Sequence, residues 1–122
     1  MASRTERMQD VLRGLRGASP DIIGAAVVSI DGFIVASVLP SEIDEELVCG
    51  MAAAMLGVGE RIAAELMASK MEQTYVRGEK GYVILNALGT DSVLVVLTTK
   101  EAKLGLVFIE VKRRCAELLK IT

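Results

Sequence analysis

Apolar residues recur at helical spacing near both ends and in the middle of the chain, and strand-like runs lie between them. Met8, Val11, Leu12 and Leu15 follow at i, i+3, i+4 and i+7, one stripe of a short helix. Ser3 and Glu6 have capping-box spacing at its start, Gly14 weakens it, and Gly17 with Ser19-Pro20 ends it. Ile22 to Ser29 reads as a buried strand and Phe33 to Val38 as its antiparallel return. Asp31-Gly32 predicts a two-residue type I′ turn between them. Pro40-Ser41 breaks the strand. Ser41 is expected to cap a second helix whose first turns hold Glu42, Asp44, Glu45 and Glu46, where the helix dipole favours acids, and which runs to about Ser69.

Glu72 to Arg77 is mixed in polarity, as an edge strand would be. A Gly78-Glu79-Lys80-Gly81 turn leads into Tyr82 to Ala87, and Gly89-Thr90-Asp91 leads into Ser92 to Thr98. These last two strands are almost wholly apolar, so they should be central and covered on both faces. Leu104, Val107, Phe108, Val111, Cys115 and Leu118 mark a C-terminal helix. The order α-β-β-α-β-β-β-α predicts an α+β fold: one five-stranded antiparallel sheet with helices on both faces, in a single domain over residues 1–122.

The second helix departs from the usual surface pattern. At 100° per residue, Ile43, Leu47, Met51, Ala54, Val58 and Ile62 fall on one flank, and Val48, Ala52, Leu56, Gly59, Ala63 and Met67 spread around another. Leu47 to Gly59 carries no charge at all. A helix apolar most of the way round needs cover on more than one side, and in so small a domain another subunit is the simplest second cover. Ala52-Ala53-Ala54 with Gly50, Gly57 and Gly59 allows close backbone approach. That fits tight packing on the chain's own sheet as well as a helix-helix contact across a dimer axis; the uncharged outer flank favours the second.

Composition removes much chemistry. The chain of 122 residues has no histidine, which excludes Ser-His-Asp and Cys-His catalysis and His-containing zinc sites. Fourteen Lys and Arg against sixteen Asp and Glu leave a net charge of −2, a poor balance for a general nucleic-acid binder. Phe33, Tyr75, Tyr82 and Phe108 are too dispersed along the sequence to promise a base-stacking platform. Cys49 and Cys115 stand alone in apolar patterns, which suggests a reducing cytoplasm and no structural disulfide. The charged N-terminus lacks an apolar signal core, and the uncharged Leu47 to Gly59 stretch is shorter than the roughly 20 residues that span a bilayer. No transmembrane segment is expected.

Gly78-Glu79-Lys80-Gly81 lacks phosphate-loop spacing, and Gly57-Val58-Gly59 has Ile62 where a dinucleotide fingerprint needs its third glycine. The acidic group at 42–46 reads as a solvated helix start rather than a cation site. No catalytic residue, metal or cofactor is expected. Arg4, Arg7, Arg13 and Arg16 could share a face with Lys112-Arg113-Arg114, although Glu6, Asp10, Glu110 and Glu117 are interspersed.

On the hairpin segment Val27 to Val35, the small-residue helix Met51 to Leu66, the strand pair Tyr82 to Leu97 and the Leu104-Gly105-Leu106 helix entry, the chain resembles the roadblock/dynein-light-chain family. The similarity covers essentially the whole chain, and its motifs are structural rather than catalytic. The resemblance implies a homodimer in which two five-stranded sheets join edge to edge and two long helices pack side by side. It further implies, for a prokaryotic roadblock-type protein, a regulator or platform for a small Ras-like GTPase that acts on the switch regions without donating a catalytic arginine. Activators of the GTPase that sets polarity in gliding bacteria are of this type.

On that basis Val48, Ala52, Met55, Gly59, Ala63, Leu66, Thr74 and Val76 are assigned to the dimer interface. Glu45, Cys49, Ala53, Leu56 and Glu60 are assigned to the partner surface, reaching outward together with Ala52. Which flank meets the twin and which the partner stays open. A sensory or scaffold module for a small ligand or signalling kinase is the alternative, and an enzyme has no spacing to support it.

Overall fold

The computed structural model describes residues 2–121. Its elements are α1 (Arg4–Gly17), β1 (Ile22–Ser29), β2 (Ile34–Val38), α2 (Glu45–Met67), β3 (Gln73–Gly78), β4 (Gly81–Leu88), β5 (Ser92–Thr99) and α3 (Leu104–Ile121). The five strands form one sheet of order β2-β1-β5-β4-β3, and every neighbouring pair is antiparallel. The apolar β5 is therefore central and the mixed-polarity β3 is an edge, as their side chains require.

Because alternate strand residues face opposite sides, the sheet feeds two cores. On one side Ala25, Val27, Ile84, Leu94 and Val96 pack under α1 and α3, against Met8, Leu12, Leu15, Val107, Val111 and Leu118. On the other, Ala26, Val28, Leu85, Val93 and Val95 meet Cys49, Ala52, Leu56 and Ala63 of α2. Ser3 caps α1, its hydroxyl accepting from the Glu6 amide at 3.1 Å. The terminal helices lie side by side, and Gly14 sits where a Cβ would come within 2.9 Å of the Arg114 guanidinium.

Two local expectations change. The β1–β2 hairpin forms, but through the three-residue loop Ile30-Asp31-Gly32: the Gly32 amide donates to the Ser29 carbonyl and the Ser29 amide to that of Phe33. Only Gly32 (φ 85) takes positive φ, the arrangement of a turn closed by a glycine bulge rather than a type I′ turn. Helix α2 begins later than Ser41 suggests. Asp44 is its cap, accepting from the amides of Glu46 (2.9 Å) and Leu47 (3.4 Å), because a carboxylate offers a stronger acceptor there than a serine three residues earlier.

At 23 residues α2 is also longer than its uncharged centre, and on length and composition alone it could cross a bilayer. Here its inner flank lies on the sheet, and Glu60, Arg61 and Glu65 interrupt its second half.

Candidate functional site

Helix α2 rests mainly on β1 and β5. Beyond it, the same sheet face continues over β4 to the edge strand β3 with little cover. Val83 and Leu97 are only half-buried there. Between this bare sheet and the side of the helix runs an apolar groove of about 250 Å³, floored by Val83, Leu85, Val95 and Leu97 and walled by Leu47, Val48, Met51 and Met55. Directly opposed residues of antiparallel strands share a face, so Thr74, opposite Leu85, and Val76, opposite Val83, extend the floor to the open edge.

The helix wall and crest stay bare: Leu47, Met51 (60% exposed), Val58, Ile62 and Leu66 all present large apolar side chains to water. Scattered exposed leucines mean little in a soluble protein, but a contiguous stripe joined to an open sheet edge marks an interaction surface.

The sequence-assigned residues divide across this geometry. Val48, Ala52 and Met55 line the groove, Thr74 and Val76 continue its floor, and Leu66 is exposed farther along the helix. Ala52 at the same time packs under α2 on the chain's own sheet, as does Ala63, and Gly59 faces the chain's own Met71. Cys49 and Leu56, expected to reach outward with Ala52, are likewise buried in that core. Their positions on the helix circumference lie within one narrow arc with Ala52 and Ala63, and the sheet takes that arc.

Ala53 and Glu60 lie on the flank away from the groove. Ala53 approaches the hairpin tip at Gly32, and the Glu60 carboxylate accepts from the Met71 amide at 3.3 Å. Glu45 is exposed in the first turn and accepts from the Ser37 hydroxyl. The assigned sets omit Leu47, Met51, Val58 and Ile62, although the helical wheel already places these four on one flank.

Charge within the groove is sparse. Arg61 pairs with Glu65 at 3.5 Å, one turn apart and exposed, a contact worth little. Burial raises the Cys49 thiol above its usual range, and Glu45 and Glu46 add to the rise. Among the described residues no group of three acids or cysteines could hold a metal ion.

The rings behave differently from their spacing in sequence. The strand register and α3 bring Tyr75 within 6.2 Å of Tyr82 and 5.8 Å of Phe108, centroid to centroid, on the α3 side of the edge. They form an edge-to-face and tilted cluster with Arg77 over Tyr82, so the rings mainly face one another.

A family model for the Roadblock/LC7 domain matches residues 8–98. The chain is 44% identical over 99 residues to protein MJ1340 of Methanocaldococcus jannaschii, covering 81% of this chain and 85% of that one. It is 45% identical over 92 residues to MJ0310 of the same organism, covering 75% and 80%. Among solved structures, MglB of Myxococcus xanthus superposes with a TM-score of 0.88 at 21% identity, over 99% of this chain and 91% of that one. The gliding protein MglB of Thermus thermophilus gives 0.85 at 19%, over 99% and 92%. With the strand order, the two-sided core and the small-residue helix agreeing with these matches, the chain belongs to the Roadblock/LC7 domain family.

Proposed function

We propose that this chain is a homodimeric regulator or scaffold of a small Ras-like GTPase, working in the cytoplasm and contributing no catalytic group of its own. The observation that carries the reading is the continuous apolar surface from the bare flank of α2 across Val83 and Leu97 to the open β3 edge. A second copy fits it by symmetry. Pairing β3 with its twin continues the sheet, and the two α2 flanks, related by the same two-fold, close over each other's bare β4. Membership of the Roadblock/LC7 family and the likeness to MglB support self-association and a GTPase-related partner.

In such a dimer the exposed Glu45, with Ala53 and Glu60 on the flank away from the groove, stays accessible beside the helix pair. Control then works by holding or releasing the GTPase switch regions, a differential affinity for two conformations.

Sedimentation velocity should give a species of twice 13.0 kDa at micromolar concentration. Affinity capture from the native cell extract should retain a Ras-like GTPase, and the purified pair should differ from the GTPase alone in its rate of GTP hydrolysis or exchange. A stable monomer would remove the joined-sheet assembly. Capture without any GTPase, together with unchanged hydrolysis and exchange, would remove the regulatory role.

A further inference from the structure

The face opposite the α2 groove has its own pattern. Leu106 (64% exposed) and Ile109 (67% exposed) lie on the outer crest of α3, directed away from the buried Val107, Val111, Cys115 and Leu118. Seven and fourteen residues beyond Leu106, the same crest carries Arg113 and Lys120, and Lys112 stands beside it. Two large aliphatics bordered by cations form an amphipathic surface that neither the fold nor the β3-joined dimer covers.

The acids interspersed along α3 are used internally. Arg114, only 15% exposed in its side chain, binds Glu110 at 2.9 Å and Glu117 at 3.2 Å, while the exposed Arg113 stands farther from both, at 3.9 Å. Among the described residues no ion pair engages Arg4, Arg7, Arg16, Lys103, Lys112 or Lys120. Net charge conceals this segregation. Residues 1–21 and 100–122, which build the α1/α3 layer and its approaches, hold ten Lys and Arg against six Asp and Glu; residues 22–99 hold four against ten. Beside Leu106 and Ile109 a groove of about 360 Å³ opens between segment 18–22 and the start of α3, with Lys103 at its wall. The two carboxylates that also line it are occupied, Asp21 by the Thr99 hydroxyl and Glu110 by Arg114.

We propose that the outer face of the α1/α3 layer docks on an anionic phospholipid surface, with Leu106 and Ile109 entering the headgroup boundary and Lys112, Arg113 and Lys120 meeting lipid phosphates. Charge complementarity selects an anionic partner, and exposed aliphatics on the same crest select a lipid over a nucleic acid, which would use the cations alone. A planar partner also fits the assembly. Joining two sheets edge to edge places both α3 crests on one side and both α2 helices on the other, so one bilayer engages two copies while the α2 face remains free. Only this gain in avidity rests on the proposed dimer; the docking itself does not.

The test is co-sedimentation of the full chain at physiological ionic strength with vesicles of phosphatidylglycerol in phosphatidylcholine, and with phosphatidylcholine alone. The protein should pellet with the first and not the second. Lys112→Glu with Lys120→Glu should weaken binding by at least about twentyfold, each cation near such a surface being worth about fivefold. Leu106→Ser with Ile109→Ser should weaken it about tenfold, with circular dichroism and sedimentation unchanged because neither side chain is in the core. Lys70→Glu, outside the α1/α3 layer, should leave binding as it is. Failure to pellet with anionic vesicles would overturn the proposal. So would pelleting that both double variants retain, or preferential binding to single-stranded nucleic acid over vesicles. None of these outcomes touches the GTPase reading.

Discussion

The sharpest test of the α2 groove is Met51→Asp. In a single copy Met51 is 60% exposed, so the added carboxylate stays in water, and the fold should lose only about 0.5 kcal/mol of helix propensity. In the proposed joined dimer the two-fold would place two such side chains in a seam floored by Val83, Leu85, Val95 and Leu97. Each copy then forfeits about 1 kcal/mol of methionine burial, and each carboxylate must also shed water without a cation to meet it. A combined cost of about 4 kcal/mol or more corresponds to roughly a thousandfold weaker self-association. Sedimentation velocity across a concentration series should show the wild-type dimer and a variant of 13.0 kDa, with the far-ultraviolet spectrum of the folded chain intact. A variant that stays dimeric would refute the placement of the seam. One that loses its secondary structure would show that this flank holds the single chain together instead.

Other substitutions probe the parts separately. Leu56→Ala, beneath the same helix, should cost about 2 to 3 kcal/mol in urea unfolding while leaving the dimer's sedimentation unchanged, because Leu56 faces the chain's own sheet. Gly24→Ala should cost about 2 kcal/mol by urea midpoint, since the new Cβ would stand 2.7 Å from the Val38 carbonyl oxygen at an irregular point of the β1 register. Ala68→Gly should raise stability by about 1 kcal/mol, because Ala68 ends α2 at φ 47, where only glycine escapes Cβ strain. Burial pushes the Cys115 thiol up to about 11 from an ordinary 9.0, against a smaller lowering by Asn86. The unfolded chain therefore releases this proton first, and stability held below pH 9 should decline as pH rises toward 11; Cys115→Ala should flatten that decline in pH-dependent unfolding.

Element identity and strand placement were legible because each has a local cause. Ser3 and Glu6 start α1, the unbroken apolar run of Ser92 to Thr98 can sit only in the middle of a sheet, and Glu72 to Thr74 suit only an edge. The direction of α2 was not legible, for a reason specific to this helix. An amphipathic helix declares its inner face by contrast, whereas Leu47 to Gly59 has no charge to supply one, so Cys49 and Leu56 looked as free to face a partner as Met51. The arc of Cys49, Ala52, Leu56 and Ala63 settles onto Ala26, Val28, Val93 and Val95, and Leu47, Met51, Val58 and Ile62 are left outside. The same ambiguity that obscures the helix in sequence leaves it two apolar flanks in space: one seated on its own sheet, the other open. Long-range placement hid the aromatic cluster in a different way, since Tyr75, Tyr82 and Phe108 meet only through the β3–β4 register and the return of α3 over the edge. With the apolar groove on one face and the cation-bordered crest on the other, the sheet separates two surfaces of different chemistry, so the proposed self-association and the proposed lipid docking do not compete for one face.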